Sequence, residues 1–272
     1  MEIKKFMPKD HFVRCTIYWW SGVWKTVFGG TAPKPIFASS EAWLLSVVST
    51  LGYAPDYVNI TTIWDLQKLY KFLKESEGGE YETLIIDSLT EINEIIKTNM
   101  EARVWRGLQI KERWEISRKI KKIIAWLKAL PMHVIIICQE KMVNDEDSIA
   151  QIVPMLNGKN ATEIAYMMDI VGYMYLDKQA VRHITTDPSP KIVSKDRSGK
   201  IGRDASLDFS DWVSAIATLK VGKEETVQVW DSWWGSWVDA PAPDDSKKKK
   251  NTSVKGASKS SSKSNTKIIA KK

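Results

Sequence analysis

A lysine and a threonine stand side by side after the first strand-like run of the chain, in the segment Tyr18-Trp-Trp-Ser-Gly-Val-Trp-Lys-Thr26. A phosphate-binding loop has the pattern G-x-x-x-x-G-K-[ST] between a strand and a helix, because backbone N–H groups must face the phosphates without intervening side chains. Lys25 and Thr26 match the end of this pattern, but Trp19 and Trp24 occupy its two glycine positions. The candidate phosphate-binding residues are Trp19, Trp20, Ser21, Gly22, Val23, Trp24, Lys25 and Thr26.

Further along the chain, the apolar run Glu82-Thr-Leu-Ile-Ile-Asp87-Ser88 ends in a carboxylate. Nucleotide hydrolases with a phosphate-binding loop need such a second element, because an acidic side chain at the end of a buried strand can hold a hydrated Mg²⁺ ion. Apolar strands that end in Asp are also common without any metal role. The run therefore supports phosphate chemistry only in combination with the loop.

Strand-like and helical runs alternate along the chain, which favours a doubly wound α/β sheet. The first four strand-like runs indicate buried parallel strands, and the later ones indicate antiparallel additions at the edge of the sheet. The predicted strands cover residues 12–18, 35–38, 83–87, 133–138, 170–176, 181–186 and 191–194. The predicted helices cover residues 25–32, 63–75, 89–103, 112–129 and 211–219.

The positive charge of the chain is concentrated in its last segment. The net charge is +7, and residues 246–272 contain ten Lys and no acidic residue, which leaves −3 for residues 1–245. We predict one domain over residues 1–225, a Trp- and Pro-rich linker over 226–245 and a disordered Lys- and Ser-rich tail over 246–272. The tail could bind nucleic-acid phosphates through charge alone, although a solvated tail without function would look the same.

The apolar runs and the cysteines bear on the compartment. No apolar run approaches the roughly 18 residues that a membrane span needs, and the first residues lack the apolar core of a signal peptide. Cys15 and Cys138 both lie in apolar strand-like runs, which favours reduced thiols. We therefore expect a cytoplasmic protein without a membrane partner.

Five segments, in this order, resemble the RecA-like P-loop ATPases, and within them the phage-encoded AAA family ATPases of Sak type that are linked to single-strand annealing and recombination. They are the loop at 19–26, residues 32–43, Asp87-Ser88, residues 134–140 and residues 192–199. The resemblance implies a RecA-like P-loop NTPase fold with a mostly parallel central sheet, flanking helices and antiparallel edge strands. It also implies ATP and Mg²⁺ as ligands, single-stranded DNA as a partner, a homo-oligomeric ring or filament, and a location in the host cytoplasm.

The resemblance assigns the phosphate and metal contacts. Lys25 would neutralise the β- and γ-phosphate oxygens, Thr26 would bind Mg²⁺ through its hydroxyl, and Asp87 would hold the water shell of the ion.

Four further residues receive catalytic roles from the same resemblance. Glu41 would orient the attacking water, with a solvated loop carboxylate as the alternative. Gln139 would sense the γ-phosphate, with an ordinary polar residue at a strand end as the alternative. Lys195 and Arg197 would present cations to a nucleotide held by a neighbouring subunit, with ordinary surface basicity as the alternative.

Tryptophan stands at three positions where this family has glycine, namely 19, 24 and 43. The chain has thirteen Trp and only fourteen Gly in 272 residues, whereas Gly usually makes up roughly 7% of a chain. UGA is read as Trp in some genetic codes and as Gly in others, so a gene that uses the Gly code but is translated with the Trp code would show this pattern. The alternative is a degenerate loop that no longer binds nucleotide, because an indole should block the close approach of phosphate.

Two functions follow from these observations. The first is a DNA-dependent ATPase that acts in single-strand DNA annealing, recombination or replication. The second is a non-catalytic module that binds DNA or a partner on a degenerate P-loop fold.

Overall fold

The computed structural model describes residues 7, 11–20, 24–40, 44–75, 79–104, 106–144, 150–219, 226–231 and 236–241. The chain divides into two units, Met1–Leu219 and Lys220–Lys272.

Strands and helices alternate through the first unit. The strands are β1 (Arg14–Trp19), β2 (Pro35–Ser39), β3 (Asp56–Asn59), β4 (Thr83–Asp87), β5 (His133–Asn144), β6 (Ala150–Pro154), β7 (Ile170–Leu176), β8 (Arg182–Thr185) and β9 (Lys195–Asp196). The helices are α1 (Lys25–Gly30), α2 (Leu45–Leu51), α3 (Ile63–Lys74), α4 (Leu89–Glu101), α5 (Ile110–Lys128), α6 (Asn160–Met167) and α7 (Phe209–Ala217).

The central sheet has the strand order β3-β2-β4-β5-β1-β7-β8. All neighbours from β3 to β7 pair in parallel, whereas β8 and β9 pair antiparallel with β7, and β6 pairs antiparallel with β5. Strand β5 lies between β1 and β4, so the strand before the lysine–threonine pair and the strand that ends in Asp87 are not neighbours. This architecture confirms the predicted fold class.

The two faces of the sheet are buried by different helices. Side chains such as Ile17, Phe37 and Ile137 form one core with Phe28 of α1 and Trp212 of α7, and they are buried on that face. The opposite face packs against residues of α3, α4, α5 and α6. Mostly apolar runs form the central strands because both faces of a parallel sheet must be apolar when helices cover them.

Two glycines allow α1 to lie close to the sheet and to α2. A Cβ atom on Gly30 would lie 2.9 Å from side-chain carbons of both Val47 and Leu51, and one on Gly29 would lie 3.1 Å from Ile85 of β4. These close contacts fix α1, and with it the residues at its start, against the carboxyl edge of the sheet.

The structure corrects one predicted strand and adds elements that the sequence did not indicate. The prediction of a strand over residues 191–194 is wrong, because Ile192 makes only isolated bridges and the regular strand is β9. The sequence patterns did not predict α2, α6, β3 or β6. These four elements are short, and their apolar residues lack a clear period.

In the second unit, β10 (Thr226–Asp231) and β11 (Ser236–Pro241) form an antiparallel two-stranded sheet. These strands lie in the segment predicted as a linker. The predicted tail, residues 246–272, lies outside the described residues, and the division of the chain into three segments stays a prediction. Among the described helices, none is long and apolar enough to cross a membrane.

Candidate functional site

The carboxyl edge of the parallel sheet brings the loop after β1 and the end of β4 together. Strand β1 ends at Trp19, and helix α1 begins at Lys25. Asp87 is the last residue of β4, which runs parallel to β1 with β5 between them. Ligands of open α/β sheets bind at this edge, outside the carboxyl ends of the strands.

Thr26 and Asp87 are in direct contact. The Thr26 hydroxyl donates a hydrogen bond of 2.7 Å to Oδ2 of Asp87. A hydroxyl and a carboxylate are hard oxygen ligands, and Mg²⁺ usually combines one or two carboxylates with substrate phosphates and water. The donor set therefore fits a magnesium ion bound with a nucleotide. The described residues contain no cluster of three or more His, Cys, Asp or Glu side chains that could hold a metal without such a ligand.

The Lys25 ammonium group lies over the carbonyl groups at the end of β1. Its Nζ donates hydrogen bonds of 3.0 Å to the Trp19 carbonyl and 2.9 Å to the Trp20 carbonyl. Burial lowers the pKa of Lys25, while the negative charges of Asp87 and Glu140 act in the opposite direction. The site thus holds a cation that has lost part of its hydration and that a phosphate could stabilise better than carbonyl groups do.

Trp24 has a backbone conformation that favours glycine. Its φ is 33° and its ψ is 3°, in the left-handed region, immediately before the first residue of α1. A bulky L-residue rarely adopts this conformation, because its Cβ then crowds the backbone. The backbone at position 24 therefore suits glycine, the residue that the loop pattern has at this position, although the side chain is an indole.

Trp19 differs from Trp24 in this respect. It is the last residue of β1, pairs with Gln139 in the parallel ladder and is only 9% exposed. Its ring stacks on Tyr173 with a centroid distance of 5.9 Å and an interplanar angle of 15°. Position 19 therefore accommodates tryptophan without a left-handed backbone, whereas Trp20, the next residue, is 68% exposed.

Gln139 lies at the same edge of the sheet, beside the end of β1. Its backbone N–H donates to the Thr90 hydroxyl at 3.0 Å, and its carbonyl accepts from the Met155 N–H at 2.7 Å. The backbone is thus fixed from both sides, to the start of α4 and to the residue that follows β6. Gln139 therefore links the carboxyl edge of the sheet to the β5–β6 hairpin.

Lys195 and Arg197 lie elsewhere, at the C-terminal end of α6. Lys195 Nζ donates to the Ala165 carbonyl at 2.6 Å and to the Met168 carbonyl at 3.1 Å. Arg197 donates to the Tyr166 carbonyl at 3.0 Å and to Asp169 at 3.4 Å. Within the described chain, both cations bind carbonyl groups that end a helix, a position where positive charge is favourable.

Part of the loop and the residues that follow β2 belong to the segments outside the described chain. Ser21, Gly22 and Val23 of the loop, together with Glu41 and Trp43, lie outside the described residues. Their assigned roles stay predictions.

Two residues near the end of β1 and the start of α1, Arg182 and Tyr173, had no signal in the sequence. Arg182 of β8 lies over the Trp24 ring, with 4.4 Å between its guanidinium carbon and the ring centroid. Tyr173 contacts Trp19, and the neighbouring Glu140 is among the causes that raise the pKa of the Tyr173 hydroxyl, after burial. The sequence could not reveal these contacts, because pairing within the sheet alone brings β7 and β8 to the loop.

Comparison with known proteins gives a matching family and similar solved structures. A family model described as an AAA domain matches residues 11–198. Among solved structures, the crystal structure of the RadB recombinase is similar, with a TM-score of 0.39 and 14% sequence identity over 64% of this chain and 79% of that chain. No curated protein gives a significant match.

Proposed function

The chain belongs to the family described as an AAA domain, and from this premise we propose that it binds ATP with Mg²⁺ and hydrolyses it in a DNA-dependent manner. The proposed role is single-strand DNA annealing, recombination or replication, as a phage-encoded protein of the host cytoplasm. The observation that carries the proposal is the direct contact between the Thr26 hydroxyl and the Asp87 carboxylate, with the Lys25 ammonium group beside them.

The three residues divide the work of nucleotide binding. Lys25 exchanges its carbonyl partners for oxygens of the β- and γ-phosphates, which return full ionic pairing to a partly desolvated cation. Thr26 would bind Mg²⁺ through its hydroxyl and Asp87 would hold the water shell of the ion, and the metal would neutralise charge on the phosphate oxygens. The hydrogen bond between Thr26 and Asp87 brings their two oxygens within 2.7 Å of each other.

Hydrolysis needs groups beyond the binding residues. Glu41 follows β2, the neighbour of β4, and we assign to it the orientation of the attacking water. Gln139 carries an amide that can donate to the γ-phosphate, and its backbone is connected to the β5–β6 hairpin. We propose that Gln139 relays the state of the nucleotide to that hairpin.

Assembly into a ring or filament is part of the proposal. Lys195 and Arg197 would act on a nucleotide of the neighbouring subunit, and Arg197 is exposed enough to reach one. To do so, Arg197 would exchange its bonds to Tyr166 and Asp169 for phosphate oxygens. Mixed oligomers of Lys25→Ala and Arg197→Gln subunits test this role, because only a mixture can form sites in which both residues are intact.

The proposed partner is single-stranded DNA. Ten Lys in residues 246–272 supply positive charge that could follow a phosphate backbone.

The free thiols Cys15 and Cys138 are both buried, in agreement with a reducing compartment.

The experiment that tests ATP binding compares the full chain and Trp24→Gly by titration calorimetry with ATP and Mg²⁺. Lys25→Ala in the Trp24→Gly background is the site variant, and Lys200→Ala, an exposed cation away from the loop, is the matched control. We expect binding by Trp24→Gly, its loss with Lys25→Ala and no effect of Lys200→Ala. ATP hydrolysis is then measured with and without single-stranded DNA. The proposal fails if Trp24→Gly neither binds ATP with Mg²⁺ nor responds to DNA.

The second candidate function is a non-catalytic module that binds DNA or a replication partner on a degenerate P-loop fold. The indole at position 24 favours it, because this side chain stands where a phosphate-binding loop needs glycine. This function predicts that DNA binding is unchanged by Lys25→Ala and is lost when residues 246–272 are removed. The template codons at positions 19, 24 and 43 separate the two candidates, since UGA would mean glycine in the functional protein and UGG would mean genuine tryptophan.

A further inference from the structure

We propose that the Arg182 guanidinium stacks on the purine base of a bound nucleotide. When tryptophan is present at position 24, its indole occupies this base-binding subsite. The inference rests on the proposed ATP binding and deepens it, since it names the residue that recognises the base. Its starting observation is that the Arg182 guanidinium lies over the indole at 4.4 Å from the ring centroid. An indole and a purine are both flat, fused heteroaromatic ring pairs of similar size.

The strand order places Arg182 on the side of the loop opposite to the metal ligands. Asp87 ends β4, two strands from β1 in one direction, and Arg182 begins β8, two strands from β1 in the other. Mg²⁺ binds the terminal phosphates of a nucleotide. A nucleotide whose terminal phosphates are held at Thr26 and Asp87 would therefore extend its nucleoside toward β8 if it runs along this edge away from β4.

The register of the strands places Arg182 at the height of the loop. Tyr18 pairs with Tyr173 of β7, and β7 continues to Leu176, which pairs with Arg182. Arg182 is thus level with residues that follow the end of β1, at the carboxyl edge where the loop lies. A base directed toward β8 would meet it there.

The Arg182 side chain has the properties of a stacking group for a base. A guanidinium is planar and weakly hydrated, and it stacks on aromatic faces. Its Nε is buried and has no hydrogen-bond partner within the described part of the chain. Beside it, Tyr175 and His183 stack with 5.2 Å between their centroids and an interplanar angle of 21°. These two rings stack on each other, whereas the Trp24 indole lies against the face of the guanidinium.

Position 24 can lose the indole without harm to the backbone, because its left-handed conformation suits glycine. With glycine there, the guanidinium face and the space of the indole become free next to Lys25. We therefore expect the base to add little to the ATP affinity of the chain with Trp24. In Trp24→Gly, the base should add substantially to the ATP affinity.

The experiment measures the ratio of the affinities for ATP and inorganic tripolyphosphate, both with Mg²⁺, by titration calorimetry on the full chain. We expect Trp24→Gly to raise this ratio about tenfold, which corresponds to about 1.4 kcal/mol of base stacking. Trp24→Ala, which empties the same space, should raise it as well. In the Trp24→Gly background, Arg182→Gln and Arg182→Lys should both abolish the rise in the ratio and leave tripolyphosphate affinity unchanged. Arg182→Lys is the more specific of the two, because lysine keeps the charge but lacks the flat face.

The matched control is Arg203→Gln, since Arg203 is an exposed cation paired with Asp187 at 3.4 Å, and it should change neither affinity. A gain that persists in Arg182→Gln would overturn the inference and leave the proposed function intact. An equal loss of ATP and tripolyphosphate affinity in Arg182→Gln, restored by Arg182→Lys, would also overturn it, because it would make Arg182 a phosphate contact. If Trp24→Gly and Trp24→Ala bind neither ligand, the proposed function fails and the subsite fails with it.

Discussion

The Thr26 hydroxyl donates a 2.7 Å hydrogen bond to the Asp87 carboxylate, although 61 positions separate the two residues in the chain. One residue belongs to the first turn of α1 and the other ends β4. The contact places a hydroxyl and a carboxylate, two oxygen groups of the kind that bind Mg²⁺, side by side at the carboxyl edge of the sheet.

Removal of the Thr26 hydroxyl should weaken the effect of Mg²⁺ on ATP affinity. Thr26→Val keeps the shape of the side chain but loses the oxygen ligand, and we expect the Mg²⁺-dependent affinity to fall at least about tenfold. Thr26→Ser retains the hydroxyl and should behave like its parent. Both variants are measured in the Trp24→Gly background by calorimetry, with Mg²⁺ or with EDTA. An unchanged response to Mg²⁺ in Thr26→Val would contradict the metal role.

Position 24 should be more stable with glycine than with alanine. Both substitutions remove the indole, but only glycine adopts φ = 33° without steric cost, so Trp24→Gly should exceed Trp24→Ala in unfolding free energy by about 1–2 kcal/mol. Urea unfolding measures the difference. Trp20, which is exposed and does not have a positive φ, is the matched control: there alanine should be at least as stable as glycine. Equal stability of the two Trp24 variants would show that the left-handed backbone is not retained.

Replacement of Glu41 by glutamine should separate hydrolysis from binding. An amide cannot accept a proton from the attacking water, so Glu41→Gln in the Trp24→Gly background should lower ATP hydrolysis about 10²–10⁴-fold. ATP affinity should stay unchanged, because the assigned role of Glu41 does not include phosphate binding. Single-turnover hydrolysis and calorimetry measure the two quantities. Hydrolysis at the parental rate would assign the water-orienting role to another residue.

The free energy of unfolding should decrease as the pH is lowered, because of the titration of His133. Burial lowers the pKa of His133 from 6.5 to about 4, and its Nδ1 accepts a 2.9 Å hydrogen bond from the Val13 N–H, which a protonated ring could not do. Because the folded state favours the neutral ring, the unfolded chain takes up a proton first as the pH falls. His133 should therefore contribute full stability above about pH 6.5 and lose it progressively toward pH 4.

The measurement is urea unfolding between pH 7 and pH 4.5. The contribution of this partly exposed ring should be of the order of 1–2 kcal/mol, reduced by solvent screening. His133→Asn keeps an acceptor for the Val13 N–H and does not titrate, so its stability should depend less on pH in this window. The same pH dependence in both proteins would assign the loss of stability to other groups.

Lys195 should contribute to the stability of the fold, in addition to its proposed action on a nucleotide of the neighbouring subunit. It binds two carbonyl groups at the end of α6, and Lys195→Met would leave them without this cation, at a cost of about 1–3 kcal/mol. Lys200→Met, at an exposed position, should change stability by less than about 0.5 kcal/mol. Urea unfolding compares the two variants. If Lys195→Met unfolds like the unchanged protein, these hydrogen bonds do not stabilise the fold.

Local patterns were sufficient to predict much of the fold. The apolar runs at 83–87 and 133–138 predicted the starts and the buried parts of β4 and β5, because strands covered on both faces must be apolar throughout. The period of apolar residues in α5 predicted that helix to within two residues at its N-terminus. Elements such as β3 and α2 were missed, because they are short and only partly buried.

The sequence by itself determined which residues could bind phosphate and metal, because local patterns reveal the strand that Asp87 ends and the helix that Lys25 and Thr26 begin. The tertiary structure decided what these residues contact. It gave Trp24, and not Trp19, the backbone of a glycine, directed Lys195 and Arg197 to the carbonyl groups of α6, and brought Arg182 over the indole. The physical reason is that these contacts join segments far apart in the chain, and only the pairing of strands and the close packing of helices on the sheet bring such segments together.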